Sequence, residues 1–240
     1  MQVYNWSKKI LNILYPRRCL LCGAGGDGER DLCSPCADNL PHNHHPCAIC
    51  ALPLPAGAPT GSLCGHCNRK RPEFDRCYAA LGYDRLTGPL VSRLKFNRRL
   101  NHAGLLSGLL CDYLELQQAP MPELILPVPL HVQRLRERGY NQAVEIGRHV
   151  GRHFRIPVSL HHCQRIKATP AQTGLDRKAR RKNLRNAFEM TRPIDGMSIA
   201  LLDDVMTTGT TASELARQLK RSGASRVDVW TVARTPEDRG

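Results

Sequence analysis

A chain of 240 residues carrying a formal net charge of +14 is long enough for one ordinary domain with a small satellite, or for two small domains. Hydrophobic residues at 41% and charged residues at 23% are those of a soluble globular protein, while aromatics at 5% leave the core to Leu, Val, Ile and Ala. The charge is uneven: between His131 and Arg192 fifteen Lys or Arg face four Asp or Glu. That excess points to an anionic partner, a phosphorylated metabolite or a nucleic acid. It does not point to a membrane surface, because no long basic helix with aromatic anchors accompanies it.

At the N-terminus, Ile10 to Tyr15 follows Lys8 and Lys9 but is interrupted by Asn12, too short for a signal h-region, and without a small-residue cleavage site. A short amphipathic helix docked on the protein, and a cytoplasmic location, are the expectation. No run approaches the length of a membrane span.

Eight of the eleven cysteines then fall into four C-x-x-C pairs: Cys19/Cys22, Cys33/Cys36, Cys47/Cys50 and Cys64/Cys67. Thiolates two residues apart in a tight knuckle can face one tetrahedral ion, so eight sulfurs make two closed structural zinc shells. A disulfide scaffold would need an oxidising compartment. A redox motif would need one pair, not four in series, and iron–sulfur runs are more tightly spaced. Pairing in sequence order is simplest, with an interleaved pairing left open. His42, His44, His45 and His66 are read as solvated loop residues. With few large apolar residues around it, the module depends on metal for stability, and chelation should unfold it. Closed shells leave no open coordination position, so this zinc is not catalytic. Gly23 to Gly28 satisfies G-x-G-x-x-G, yet follows no strand and opens no helix; it is a loop. Cys77, Cys111 and Cys163 stand singly and read as core or surface residues, since no clear base accompanies them.

Arg69 to Pro72 reads as a linker, dividing a zinc module over residues 1–72 from a second domain over 73–240. A strand is predicted from Cys77 to Tyr83, helices from Gly88 to Phe96 and Ala103 to Leu116, and a short proline-stopped strand at Leu124 to Pro129. Asn141 to Phe154 has helical spacing. Gln164 to Arg192 is polar, basic and without periodicity, so a long mobile loop is expected. Ser198 to Leu202 is an apolar strand, Ala212 to Arg221 a helix, and Val227 to Val232 a further strand. Alternation of this kind defines an α/β fold with a parallel sheet, doubly wound.

Between the last strand–helix pair lie Asp203, Asp204 and the turn Thr207, Thr208, Gly209, Thr210 and Thr211. The turn exposes N–H groups at a helix N-terminus, where they and the helix dipole favour a phosphate. Hydroxyls add donors and Gly209 permits close approach. No lysine is present, so this is not a Walker A loop. The carboxylates would face ribose hydroxyls or a magnesium ion. The plainer alternative, threonines capping a helix and aspartates ending a strand, would account for one Asp and one Thr rather than a doublet with five turn residues.

This stretch resembles the type I phosphoribosyltransferase signature. Further motifs narrow the likeness: the C-x-x-C-rich N-terminus, Leu94-Lys95-Phe96, Val128-Pro129-Leu130 followed by Arg138-Gly139-Tyr140-Asn141-Gln142, and Arg181-Lys182-Asn183-Leu184 followed by Asn186-Ala187-Phe188. In this order, and across nearly the whole chain, they resemble the ComF/GntX family, which couples a double zinc ribbon to a phosphoribosyltransferase domain. The resemblance implies that Asp203 and Asp204 contact the ribose of phosphoribosyl pyrophosphate, directly or through magnesium. It implies that Thr207 to Thr211 hold the 5-phosphate, that the loop at Val128 and Pro129 lies on the pyrophosphate side, and that a basic lid spans Arg177 to Arg185. Lys95, Arg134, Arg138, Lys178, Arg181 and Lys182 are the cations available to pyrophosphate, with Lys95 and Arg138 chosen; for most of the set a solvated surface charge is the plain alternative.

Breaking the bond to pyrophosphate puts negative charge on the leaving group and positive charge on the ribose, which cations and preorganised carboxylates respectively accommodate. Two functions follow as expectations. One is a magnesium-dependent phosphoribosyltransferase with an unidentified acceptor. The other is a non-enzymatic adaptor in DNA uptake, with single-stranded DNA or a DNA-processing protein as partner and the phosphate turn as a nucleotide sensor. Against the second, aromatic residues do not interleave the basic segment.

Overall fold

A computed structural model of the chain describes residues 17–27, 30–96 (Phe96 by its backbone), 101–168, 184 and 186–236. The chain forms two compact units, residues 1–41 and 42–240. The first is built on a knuckle at Cys19 to Cys22 closed by an antiparallel bridge between Arg18 and Gly25. Helix α1 (Ser34–Asp38) starts directly on Cys33, with Pro35 in its first turn, where a missing N–H costs nothing.

The second unit opens with another cysteine knuckle. Cys47 N donates to Leu52 O at 2.8 Å and Ala51 N to Cys47 O at 3.0 Å. Helix α2 (Gly65–Arg69) then follows Cys64, whose sulfur caps it by accepting from Cys67 N. This ribbon lies along the edge of β1 (Arg76–Gly82): Cys77 N donates to Ile49 O at 2.7 Å and Asn43 N to Ala80 O at 3.1 Å. An edge strand with open donors and acceptors is thereby covered.

The sheet holds four strands in the order β1, β6 (Arg226–Arg234), β5 (Ser198–Met206), β2 (Leu124–Pro127), every pair parallel. Helices α3 (Thr87–Phe96), α4 (Asn101–Leu116), α5 (Val132–Arg138), α6 (Gln142–Phe154) and α7 (Thr210–Arg221) complete the unit. Both faces of the sheet are covered, so its strands are almost continuously apolar. Cys77, Ala79, Val227, Val229, Ile199, Leu201, Leu124 and Leu126 share one core with Leu215, Ala216 and Leu219 of α7 and with the ribbon residues Ile49, Ala51 and Leu52. Alternate positions face the other way; there Trp230 is fully buried, 6.1 Å from the ring of Phe154 on α6. Gly151 lets α6 approach, since a Cβ there would stand 2.4 Å from Val158 and 2.8 Å from Ile156 O.

Three expectations change. The stretch Gln164 to Arg192 is not simply a loop. Its flanks pair as an antiparallel ribbon of β3 (Cys163–Arg165) and β4 (Phe188–Met190), with Leu184 and Phe188 buried. Strands of three residues are too short to show a periodicity. Strand β5 runs on through the acidic doublet to Met206 instead of stopping at Leu202. Helix α5, over a polar stretch, was not expected at all. The basic lid at Arg177 to Arg185, apart from Leu184, and the N-terminal helix, apart from Arg17 and Arg18, lie outside the described residues. Among the described residues no helix is long and apolar enough to cross a membrane.

Candidate functional site

The eight knuckle cysteines gather into two quartets in sequence order, Cys19, Cys22, Cys33 and Cys36 in the first unit and Cys47, Cys50, Cys64 and Cys67 in the second. Within each, the sulfurs lie within 4.8 Å of one another. Cys22 Sγ stands 3.6 Å from Cys33 Sγ, and Cys50 Sγ 3.6 Å from Cys64 Sγ. A tetrahedral zinc with sulfurs at about 2.3 Å spaces its ligands about 3.8 Å apart, so both quartets fit that ion. Their electrostatics ask for a cation as well. In the second quartet the Cys50 thiol holds Cys47 down to about 4, while burial pushes Cys67 up to about 12. In the first, backbone N–H groups of Cys22 and Cys33 overcome burial and bring Cys19 down to about 6, while the neighbouring Cys33 thiol drives Cys36 up to about 12. One thiolate per quartet forms easily and makes the next harder; a divalent ion removes that conflict. The solitary Cys77 and Cys163 are buried thiols pushed up to about 12 by desolvation, as inert core residues should be.

A second constellation forms where β5 ends. Asp204 is 6% exposed and its Oδ2 lies 2.9 Å from Lys95 Nζ on α3. Asp203 Oδ1 accepts from Asp204 N at 2.9 Å, and Asp204 Oδ1 from Val205 N at 2.7 Å. Burial, then the charge of Asp204, push Asp203 up to about 8 against the pull of Lys95. Burial alone would lower the Lys95 ammonium, but the Asp204 carboxylate outweighs it and the net shift is upward.

The Arg138 to Gln142 motif acquires a local reason. Gly139 ends α5 at φ 80°, a left-handed conformation suited to glycine. Asn141 does two things: its Oδ1 caps α6 by accepting from Ala143 N at 3.0 Å, and its Nδ2 donates to Val128 O at 3.0 Å, fixing the loop of Val128 and Pro129. Gln142 Oε1 accepts from Arg138 Nη1 at 3.2 Å, and Gln142 Nε2 donates to Lys95 O at 3.5 Å. Arg138, Lys95 and the β2 loop are thus joined on the β2 side of the doublet. Arg165, on β3, is a cation the sequence reading did not select. Its guanidinium stands 5.7 Å over Phe188, and it feels Arg134 and Asp203. Read as part of a loop, it gave no signal.

From the doublet the chain turns through Thr207 and Thr208 to Gly209, whose φ of 72° opens α7. Thr208 and Thr210 hydroxyls bond each other at 2.8 Å. On the β6 side of this turn lies a cleft of about 340 Å³ between the second cysteine quartet and the start of α7, lined among others by Leu52, Cys64, Phe74, Thr208, Gly209 and Arg217. Arg234, at the end of β6, is 5% exposed beneath it. Sequence reasoning missed this arginine too, because its partners are distant in sequence.

Two sulfur quartets, and a parallel α/β sheet in which a carboxylate doublet leads into a hydroxyl-rich turn, define a zinc-ribbon protein that carries an α/β domain. Residues 10–68 match the family model of a double zinc ribbon domain. The chain is 34% identical over 208 residues to the DNA utilization protein YhgH of Salmonella typhi, covering 85% of this chain and 90% of that one. It is 33% identical over 225 residues to competence protein F of Haemophilus influenzae, covering 90% and 96%. It belongs to the ComF/GntX family, which contains these proteins. A purine phosphoribosyltransferase from Pyrococcus horikoshii shares 16% identity over 55% of this chain and 80% of that one, at a TM-score of 0.31. So loose a superposition carries no argument; the fold rests on the strand order and on the strand–turn–helix unit.

Proposed function

We propose that this protein binds phosphoribosyl pyrophosphate with magnesium, as a phosphoribosyltransferase-type protein of the cytoplasm serving DNA utilisation. The observation that carries the reading is the doublet of half-buried Asp203 and buried Asp204 near the tip of β5, joined without a break to the Gly209 turn that opens α7. Asp203 and Asp204 would hold the ribose hydroxyls. The N–H groups and hydroxyls of Thr207, Thr208, Thr210 and Thr211 would take the 5-phosphate, with Gly209 allowing close approach. Pyrophosphate would lie toward β2, against the Val128 and Pro129 loop, Lys95 and Arg138. Carboxylate oxygens are hard donors that suit magnesium, which when bound would neutralise charge on pyrophosphate. Departure of pyrophosphate on the β2 side leaves the β6 side for an acceptor, and the cleft beside the second quartet lies there.

In the test, phosphoribosyl pyrophosphate with magnesium raises the melting temperature, and Asp203→Asn together with Asp204→Asn removes the shift. No shift at millimolar ligand would end the proposal. A second reading, a non-enzymatic nucleic-acid adaptor, is favoured by the net charge of +14 and by relatives named for DNA utilization and competence. It expects DNA binding with a steep salt dependence that ignores both substitutions.

A further inference from the structure

We propose that Arg234 is a positioning residue that ties the second cysteine quartet to the phosphate turn and pre-aims the turn's amides. The inference rests on the phosphate-binding reading above and extends it to a residue outside the turn itself.

A guanidinium buried at a strand end is costly unless its donors are satisfied. Here Nε and Nη1 donate to main-chain carbonyls from three places. Nε donates to Cys50 O at 3.1 Å, within the knuckle of the second quartet. Nη1 donates to Met206 O at 3.2 Å, to Thr207 O, and to Thr235 O at 2.7 Å. Thr235 N gives Met206 O a further bond at 3.0 Å.

The geometry of the peptide unit turns this into a statement about the site. In a planar trans peptide the C=O of one residue and the N–H of the next point in opposite directions. With the carbonyls of Met206 and Thr207 held down on Arg234, the amides of Thr207 and Thr208 are aimed away from it, at the position proposed for the phosphate. Hydrogen bonding to a cation also polarises those peptides, making their N–H groups better donors to an anion. A donor set fixed before the ligand arrives costs nothing to reorganise. Phe74 supports the same wall: it is 3% exposed, and a Cβ on Gly209 would lie 3.9 Å from its ring. The second quartet is on this view a part of the phosphate site and not only a rigid surface, because Cys50 is held by the same guanidinium that holds the turn.

The full-length zinc-loaded chain is titrated calorimetrically with ribose 5-phosphate and, separately, with magnesium pyrophosphate, and its zinc content is measured. In Arg234→Met, affinity for ribose 5-phosphate should fall at least tenfold while magnesium pyrophosphate affinity stays within twofold and zinc is retained. Arg234→Lys keeps the charge but cannot span Cys50 O and Thr207 O, so it should show the same selective loss at smaller amplitude; it also serves if the methionine variant fails to fold. A parallel loss of both affinities would reduce Arg234 to a purely structural role and overturn the inference. So would unchanged ribose 5-phosphate binding. Wild-type protein that binds no ribose 5-phosphate would instead defeat the phosphate reading itself, and this inference with it.

Discussion

Replacing Lys95 by methionine keeps the aliphatic stem and removes the ammonium that lies 2.9 Å from Asp204. Asp204 is 8% exposed at its side chain and Lys95 27%, so the pair is neither a surface bridge nor a fully buried one. Exposed pairs contribute about 0–1 kcal/mol, whereas stripping one partner from a buried pair costs about 3–5 kcal/mol. The exposure of Lys95 brings the expectation down to about 2 kcal/mol. Asp203 limits it further: already pushed up to about 8 by burial and by Asp204, it can hold a proton and spare the doublet a second charge. For a unit of this size about 2 kcal/mol corresponds to a fall of roughly 4–8 °C in melting temperature. Scanning calorimetry near neutral pH reads that fall directly. Millimolar magnesium supplies a replacement cation, and it should stabilise Lys95→Met more than it stabilises the parent chain. A fall under about 1 °C would show that Lys95 does not compensate the doublet in the folded protein. A magnesium response no larger than the parent's would deny that the carboxylates accept a cation at all.

Titration of Asp203 gives a signed pH dependence. Its folded state keeps a proton that the unfolded chain releases near pH 4, so its contribution to stability is complete below about pH 4 and lost as pH rises through about 8. The slope from one such group reaches about 1.4 kcal/mol per pH unit, and Asp203→Asn should flatten urea-unfolding stabilities across that window; coincident slopes would refute the assignment. Zinc analysis should return two ions per chain, with chelation unfolding both ribbons, and a value of one would mean that a quartet is not a metal site. Gly209→Ala puts a Cβ at a φ of 72°, costing about 1–2 kcal/mol, and should weaken ribose 5-phosphate binding. An alanine variant of undiminished stability would mean that the turn relaxes at no cost.

What the sequence made legible was what lies consecutive along the chain. Four C-x-x-C pairs announce two sulfur shells because each knuckle is local, and only which pair joins which needed three dimensions. The strand, doublet, turn and helix from Ser198 to Arg221 were readable for the same reason: apolar run, acidic pair, small residues and helical spacing follow one another in a single stretch. Helix α5 and the β3–β4 ribbon escaped because seven residues with only Val132 and Leu135 apolar, and two three-residue strands, carry too few side chains to display a period. Lys95 and Arg138 were selected as cations, yet nothing in the chain order says that Lys95 answers Asp204, or that Gln142 joins Arg138 to the backbone of Lys95.

Arg234 shows the limit most sharply. Nothing in the sequence at the end of this apolar strand marks it, while its donors reach a carbonyl 184 positions earlier in the chain and others some 27 positions back. The residues proposed to bind can be written in one motif because a turn is local. The residue proposed to aim the turn comes from outside it, with its guanidinium on the carbonyls of Met206 and Thr207. In this chain the brace comes from the neighbouring strand, and the same side chain reaches Cys50, so the second quartet and the Thr207 to Thr211 turn are linked by contact rather than by sequence.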